Sequence, residues 1–321
     1  MKFCRQGVTR MRDGNGYGSA GMGFMDGEFM PVSEMRIPVT DMGFQLGDMC
    51  YDAVHVHKGS FFRLKDHLDR WENSISERRY NSLGYDRNQV AEILHGCVAR
   101  AELKDSMITF AATRGSPSTA HKDLRTCNNR FMVWALPYYK VFSDEEEVTG
   151  SDIVIAKTIR IPQEAVDPRV KNFGRLDFVR ALFEAYDREA KYAVLLDRDD
   201  HVTEGRGWNV FALRGGVLMS PDGGVLEGIT RRTAVELSAR LNIDCRLTKI
   251  PADTLRNADE VFITSTAGGI MPVRSVDDRM IGDGSPGPVT MRLKEMYWKL
   301  HDDPAYATPV RYDLAKVVAA Q

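Results

Sequence analysis

Short β-type runs separated by turn residues recur along the chain, and they restrict its fold more than any other feature. In the first half, Asp26–Gly27 and Lys58–Gly59 each stand between two apolar runs. Dipeptides of this kind favour the tight turns of β-hairpins, because glycine tolerates positive φ angles. Runs over 106–115 and 130–139 are rich in β-branched and aromatic residues, which also favour strands.

Helical periodicity is confined to fewer segments. Apolar residues recur at 3.6-residue spacing along 64–75 and 90–98. In the second half, the predicted helices cover 174–190, 230–241 and 289–300, and the predicted strands cover 151–161, 192–197, 202–205, 208–220, 245–250 and 260–265. We therefore predict an α+β protein with a small α/β first part and a larger second part. The larger part is expected to be built on an antiparallel or mixed, barrel-like sheet.

A polar, strongly acidic stretch over 138–150 separates the two halves. The chain has 321 residues, which exceeds what one hydrophobic core usually organises. We therefore expect a small N-terminal domain over 1–137, a linker over 138–150 and a large C-terminal domain over 151–321.

Composition narrows the classes of function. The net charge is −2, and the basic and acidic residues are spread along the chain, so no nucleic-acid partner is expected. No apolar run approaches the roughly 20 residues that span a bilayer, and residues 1–16 contain no apolar segment of signal-peptide length. We expect no membrane partner and a cytoplasmic location. His55 and His57 share one strand face, but no third ligand lies nearby in sequence, so we predict no metal site.

Lys171 is the first candidate for chemistry. It stands between a proline turn and a helical pattern whose apolar stripe is Leu176, Val179, Leu182, Phe183 and Tyr186. Packing against its neighbours Val170 and Phe173 would lower the lysine pKa, because burial disfavours the ammonium form. A lysine of that kind can form a Schiff base with a carbonyl. From these residues alone, a solvated charge at a helix start and a nucleophile both remain open.

Other segments offer partners for such a lysine. Glu204 is followed by Gly205 and Gly207, which would let a flat ligand approach the backbone, although a plain hairpin with a surface carboxylate fits equally well. Thr230 opens a helix whose free N–H groups favour an anion, and it is also an ordinary cap residue. Ser265 and Thr266 lead into a glycine-rich loop that forms a second possible anion site.

Four segments in this order, "DPRVKNF", "VTEGRGWNVF", "VLEGITRRT" and "TSTAGGIMPV", resemble the class IV aminotransferases, the fold-type-IV pyridoxal-phosphate enzymes. The resemblance runs from about residue 23 to about residue 300. It implies pyridoxal 5′-phosphate as the cofactor, a homodimer with the active site at the subunit and domain interface, and a ping-pong mechanism through Schiff bases.

The resemblance also implies roles for individual residues. Lys171 matches the lysine that forms the Schiff base and moves the proton, and Glu204 matches the glutamate that pairs with the pyridine nitrogen. The remaining cofactor-binding positions contact the phosphate or the ring face, and they are Arg70, Leu226, Ile229, Thr230, Ser265 and Thr266.

Within the class, "CYDAVHVHKG", "TRGSPS" and "GIMPV" are most similar to the (R)-selective amine transaminases. The implied substrate-pocket residues are Tyr51, Ala53, His55, Arg114, Lys122 and Ala267. The chain departs from that pattern at three places. Leu46 stands where a histidine is frequent, and Arg175–Leu176 replace an aromatic–glycine pair. Lys122 stands near the position of the arginine that binds the keto-acid carboxylate, and Arg125 is the alternative for that role.

We therefore expect transfer of an amino group from an (R)-amine to a keto acid such as pyruvate. The alternatives are a branched-chain or D-amino-acid aminotransferase, an enzyme like aminodeoxychorismate lyase, and a binding protein without activity on the same scaffold.

Overall fold

Two β-sheets, with helices packed on both, form the part of the chain that the structure describes. The structure is a computed structural model and describes residues 21–119 and 121–316. The expectation of a cytoplasmic location is based on residues 1–16, which lie outside the described residues. Within them, no helix is long and apolar enough to cross a membrane.

The first sheet is antiparallel and has seven strands. They are β1 (Met22–Met25), β2 (Glu28–Pro31), β3 (Met49–His57), β4 (Ser60–Phe62), β5 (Ser106–Pro117), β6 (Cys127–Pro137) and β16 (Ala307–Pro309), and they lie in the order β16-β4-β3-β5-β6-β1-β2. The helices of this part are α1 (Met42–Leu46), α2 (Leu64–Glu77) and α3 (Arg87–Ala101). Both periodic segments, 64–75 and 90–98, are helical as predicted. They bury Leu68, Trp71 and Leu94 against the sheet.

Both predicted hairpins of the first half are confirmed. β1 pairs with β2 across Asp26 and Gly27, whose φ angles are 53° and 88°. β3 pairs with β4 across Lys58 and Gly59, whose φ angles are 48° and 80°. Two consecutive residues with positive φ match the right-handed twist of the flanking strands.

The second sheet has nine strands and is mixed, as predicted. Its strands are β7 (Ser151–Ile159), β8 (Tyr192–Leu196), β9 (Val202–Gly205), β10 (Trp208–Arg214), β11 (Val217–Ser220), β12 (Asp244–Leu247), β13 (Glu260–Ser265), β14 (Gly269–Val276) and β15 (Arg279–Met280). β7 runs parallel to both β8 and β14, and β11 runs parallel to β12. The other pairs are antiparallel. The remaining helices are α4 (Asp144–Thr149), α5 (Leu176–Tyr186), α6 (Ile229–Arg240), α7 (Ala252–Arg256) and α8 (Pro288–Lys299).

The stretch 138–150, predicted as a linker, contains the short helix α4. Ser143 and Glu146 form a capping box, in which each side chain accepts a hydrogen bond from the other residue's backbone N–H. Acidic residues in the first turn also complement the positive end of the helix dipole. The acidity that suggested a linker therefore favours a helix start. The domain boundaries at 137 and 151 stay a prediction, and the late strand β16 joins the first sheet.

The apolar stripe of α5 does not face the core. Leu176 is 81% exposed and Phe183 is 63% exposed. The buried face consists instead of Phe178, Ala181 and Ala185, which pack on β7 and β8. Small alanines allow the helix to lie close to the sheet, and the larger apolar residues point away from it.

The segment that carries Lys171 is fixed to the first sheet. The backbone N–H of Tyr51 donates to the Lys171 carbonyl oxygen at 2.9 Å, and the N–H of Phe173 donates to the Met49 carbonyl at 3.3 Å. A chain segment between β7 and α5 therefore pairs with the start of β3. This pairing brings residues of both sheets to one cavity.

Candidate active site

A cavity of about 620 Å³ is lined by residues from both sheets. Among the described residues, its only acidic lining residue is Glu204, and its basic lining residues are Arg70, Lys140, Arg160, Lys171, Arg175, Lys191 and Arg206. A concave site with such an excess of positive charge attracts anionic ligands. Its volume suits a cofactor together with a small substrate.

Lys171 lines this cavity, and its Nζ atom lies 4.6 Å from the centroid of the Tyr51 ring. Burial lowers the lysine pKa, and the charge of Arg175 lowers it further, while the Tyr51 phenol opposes both effects. The predicted direction of the shift is therefore confirmed. A larger fraction of neutral amine at neutral pH makes Lys171 a better nucleophile than a solvated lysine.

Glu204 is buried at the end of β9 and lines the same cavity. Its carboxylate accepts hydrogen bonds from the Arg160 guanidinium at 3.2 Å, the Asn209 amide at 3.2 Å and the Leu226 backbone N–H at 2.9 Å. Burial raises the pKa of Glu204, and the charge of Arg160 counters part of that rise. Two carboxylate oxygens offer about four acceptor positions, so one remains for a ligand.

Arg70 lies on α2 and lines the cavity, and its guanidinium is bound by the Asp52 carboxylate. Its Nε donates to the Asp52 carboxylate at 2.7 Å, and Nη2 donates to it at 2.9 Å. His67 Nδ1 lies 2.8 Å from the same carboxylate. Burial alone would raise the pKa of Asp52, but Arg70 and His67 outweigh it and hold that pKa well below its usual range. The guanidinium is thus a fixed positive charge at the cavity wall.

Two other parts of the cavity lining have groups that suit an anion. The first is the N-terminus of α6, where Gly228, Ile229 and Thr230 line the cavity and the free N–H groups of the first turn favour an anion. The second is the end of β13, where Ser265 and Thr266 line it. The Ser265 hydroxyl donates to the Gly207 carbonyl at 2.8 Å, which joins this edge to the loop after Glu204.

Most residues predicted for the site line this one cavity. They are Arg70, Lys171, Glu204, Leu226, Ile229, Thr230, Ser265 and Thr266 from the cofactor set, and Tyr51, Ala53 and Ala267 from the substrate set. These residues are far apart in sequence, and the pairing of the Lys171 segment with β3 brings them to one cavity. The individual roles assigned to them stay predictions.

Three predicted substrate-pocket residues lie elsewhere in this chain. His55 is buried beside His301, with their Nε2 atoms 2.7 Å apart. Arg114 donates to the Asp48 carboxylate at 2.6 Å and does not line the cavity. Lys122 is exposed and does not line it either.

Several residues that shape the site were missed by the sequence analysis. Arg160 joins the carboxylates of Asp177 and Glu204, at 2.6 Å and 3.2 Å, and Asn209 joins Glu204 to the Leu226 carbonyl. No motif marks Arg160, whereas Asn209 stands in the quoted segment after Glu204. In the described residues, one group of possible metal ligands, Asp197, Asp199 and His201, lies in the β8–β9 turn outside the cavity lining.

The chain belongs to the class IV aminotransferase family. Residues 49–276, more than half of the chain, match the family described as Amino-transferase class IV. Among solved structures, the T.th. branched-chain amino acid aminotransferase with pyridoxamine 5′-phosphate superposes with a TM-score of 0.85. It is 28% identical, and the match covers 91% of this chain and 99% of that protein. The same protein was also solved with N-(5′-phosphopyridoxyl)-L-glutamate. The fold is therefore the one predicted, that of the fold-type-IV aminotransferases.

Named relatives of two kinds match the chain. The branched-chain-amino-acid aminotransferase-like protein 1 of Arabidopsis thaliana is 29% identical over 290 residues, which cover 88% of this chain and 51% of the relative. The chain thus spans about half the length of that relative. The D-alanine aminotransferase of Bacillus licheniformis is 28% identical over 271 residues, which cover 84% of this chain and 93% of the relative.

The residues of the cavity fit a pyridoxal-phosphate group. The Thr264 hydroxyl is buried without a hydrogen-bond partner in the described residues, and Thr264 lines the cavity beside Ser265. A buried polar atom of this kind usually has a partner, which a bound ligand would supply. Arg70 and the start of α6 supply positive charge for a phosphate, and Glu204 offers an acceptor for a protonated ring nitrogen.

Proposed function

We propose that this protein is a pyridoxal-phosphate-dependent aminotransferase. The observation that carries the proposal is that Lys171 and Glu204 line one electropositive cavity. A nucleophilic amine, an acceptor for a protonated nitrogen and two anion-binding edges are the groups that this cofactor requires.

When bound, pyridoxal phosphate supplies a carbonyl carbon that amines attack and a ring that accepts the electron pair of a deprotonated α-carbon. Lys171 supplies the amine that holds the cofactor. Once a substrate amine has released it, the Lys171 Nζ would take the proton from the substrate α-carbon and deliver it to the cofactor carbon on the other side of the nitrogen. Its lowered pKa suits this task, because a general base must be partly neutral at working pH.

Glu204 would hold a proton on the ring nitrogen. The Arg160 guanidinium and the Asn209 amide fix the position of this carboxylate, and Asp177 anchors Arg160 from the other side. Arg70, Thr230 and Thr266 would bind the phosphate. The bond between Arg70 and Asp52 orients the guanidinium before the ligand arrives, so little ordering cost remains at binding.

For the substrates, we propose an (R)-amine as donor and a keto acid such as pyruvate as acceptor. One wall of the cavity supports an uncharged amine substituent: Tyr51 and Ala53 of β3, with Met107 and Thr109 of β5, line it without a charged side chain. Residues two apart on a strand share one face, and Ala53 pairs with Thr109 across the two strands. This wall therefore forms a continuous uncharged surface.

A second candidate is an aminotransferase for branched-chain or D-amino acids. The names of the relatives at 28–29% identity favour it. In this reading the same uncharged wall would accept an amino-acid side chain.

We also propose a homodimer. Leu176, Val179, Phe183 and Tyr186 form an exposed apolar stripe on α5, with exposed fractions of 81%, 43%, 63% and 53%. A second copy of the chain would cover this stripe. Tyr186 also lines the cavity, which would place the interface beside the active site.

A substrate panel tests the proposal. (R)-1-phenylethylamine with pyruvate is compared with leucine and D-alanine, each with 2-oxoglutarate, using protein saturated with the cofactor. Turnover of the amine supports our proposal, and turnover of the amino acids alone supports the second candidate. Pyruvate release from aminodeoxychorismate without an acceptor would indicate a lyase. No turnover on any of them would contradict the proposed function.

A further inference from the structure

Arg175 is a partly buried arginine of the cavity without an acidic ion-pair partner in the described residues. Arg70 and Arg160 are each paired with buried carboxylates, and Lys140 and Lys191 are paired with glutamates of α4. Arg175 lines the same cavity and forms no ion pair with any acidic side chain in the described ranges 21–119 and 121–316.

The guanidinium of Arg175 is nevertheless held in place. Its Nε donates to the Asn172 carbonyl at 3.1 Å. Its Cζ lies 5.3 Å from the centroid of the Tyr51 ring and 5.9 Å from that of Phe178. An arginine carries five N–H donors, and the single bond through Nε uses one of them. The terminal nitrogens thus remain as donors on a fixed, partly desolvated cation.

Arg175 and Lys171 both lie over the same aromatic ring, that of Tyr51. Lys171 Nζ lies 4.6 Å from the Tyr51 centroid, against 5.3 Å for Arg175. In a keto acid or an amino acid, the carboxylate is bonded directly to the carbon at which the amino group is exchanged. A carboxylate-binding group must therefore lie near the catalytic lysine, and Arg175 shares the Tyr51 ring with Lys171 and lines the same cavity.

The other candidates for this role are less suitably placed in this chain. Arg125 is bound to Asp123 at 2.7 Å and its side chain is 89% exposed. Lys122 is exposed, and neither residue lines the cavity. Arg206 lines it but is exposed in the β9–β10 turn.

We propose that Arg175 binds the carboxylate of the keto-acid substrate, and this assignment rests on the aminotransferase function proposed above. The planar guanidinium can bind a carboxylate through two parallel hydrogen bonds, which an ammonium cannot do. Arg175 would thereby determine specificity: keto acids and amino acids require it, and an amine without a carboxylate makes no contact with it.

Binding without turnover tests the assignment. The holoenzyme in its pyridoxal form is titrated with pyruvate in a calorimeter, since two carbonyl compounds do not exchange an amino group. We expect Arg175→Gln to weaken pyruvate binding about 10-fold to 100-fold, the usual effect of losing a hydrogen-bonded charge. Arg175→Lys should keep part of the affinity. Arg206→Gln is the matched control and should change it less than about 3-fold, as is usual for an exposed charge.

Three results of the titration would overturn the assignment. They are wild-type affinity in Arg175→Gln, an equal loss in Arg206→Gln, and no pyruvate binding to the wild-type holoenzyme. In single-turnover reactions, Arg175→Gln should lower the rate with pyruvate by a larger factor than the rate with (R)-1-phenylethylamine. Equal losses would indicate that Arg175 acts on the cofactor instead and would also overturn it. The visible absorbance band of the bound cofactor distinguishes failure of this assignment from failure of the proposed function. Absence of the band in the wild-type protein would contradict the aminotransferase function, whereas a normal band with unchanged pyruvate binding in Arg175→Gln would contradict only the role of Arg175.

Discussion

The Nζ atom of Lys171 lies 4.6 Å from the centroid of the Tyr51 ring. Burial raises the pKa of the Tyr51 phenol, but the charges of Lys171 and Arg175 outweigh this and lower it overall. The lysine pKa is lowered as well, chiefly by burial. The two groups therefore titrate closer to neutral pH than they would in water, which suits a site that moves protons.

Tyr51→Phe should make the lysine still less basic. The variant keeps the ring and removes the phenol, whose negative form raises the pKa of Lys171. Cofactor uptake by cofactor-free protein requires neutral amine, so its rate should rise with pH and level off below the free-lysine pKa of about 10.4. In Tyr51→Phe the midpoint should move to lower pH. Stopped-flow absorbance at several pH values measures it, and a shift to higher pH would contradict this prediction.

Glu204→Gln should separate activity from stability. The substitution removes the group that would hold the ring nitrogen protonated, and loss of such electrostatic assistance lowers kcat about 100-fold or more. Burial raises the pKa of Glu204 in the folded protein above its unfolded value. The contribution of this side chain to folding stability is therefore complete below the unfolded pKa and is lost as pH rises through the folded pKa. At pH 8 the cofactor-free variant should thus be at least as stable as the wild type in urea. A marked loss of stability would contradict this, and Glu295→Gln, at an exposed position of α8, is the control.

Asp52→Asn should destabilise the protein in a pH-dependent way. It leaves the buried Arg70 and His67 without their carboxylate, at a cost of about 3–5 kcal/mol. Because the folded pKa of Asp52 is lowered, its contribution is complete above the unfolded value of about 3.9 and is lost as pH falls through the folded value.

Urea unfolding of the Asp52→Asn variant and the wild type should therefore differ most near pH 6 and converge in strong acid. Asp26→Asn removes the exposed partner of Arg130 and should cost only about 0–1 kcal/mol. A constant difference between Asp52→Asn and wild type from pH 6 to pH 2 would count against the electrostatic account.

Phe183→Glu should reduce self-association. Phe183 is 63% exposed within the apolar stripe of α5, and a carboxylate there would be buried without a partner in a dimer. Leu247→Glu, at an apolar residue that is 50% exposed on β12, is the matched control. Sedimentation velocity should show a lower mass for Phe183→Glu alone. A dimer that persists in Phe183→Glu would place the interface elsewhere.

Local sequence predicted the features that depend on neighbouring residues. The hairpins at Asp26–Gly27 and Lys58–Gly59 are such features, since the positive φ angles are a property of the dipeptides themselves. The order of the four motifs likewise indicated which residues share one cavity. Periodicity located α5 but not its buried face, because the helix contacts the sheet through Ala181 and Ala185 and exposes larger apolar residues.

Features that depend on distant pairing were not predicted. The strands β14 and β16 acquire their partners from β7 and β4, far away in sequence. In the sequence, Arg160 is one arginine at the end of a predicted strand, with no sign of its partners. Only the fold shows that it lies between Asp177 and Glu204. Likewise, nothing in the sequence distinguishes an arginine with acidic partners from Arg175, which has none in the described residues.

The central claim is that Lys171 is the amine that holds the cofactor. Borohydride reduces a carbon–nitrogen double bond on a lysine to a stable secondary amine, so it should fix the phosphopyridoxyl group at that residue. Peptide mass spectrometry of the reduced holoenzyme should find this group on Lys171, and Lys171→Ala should carry none. Labelling of another lysine, or no labelling in protein that has taken up the cofactor, would contradict the account.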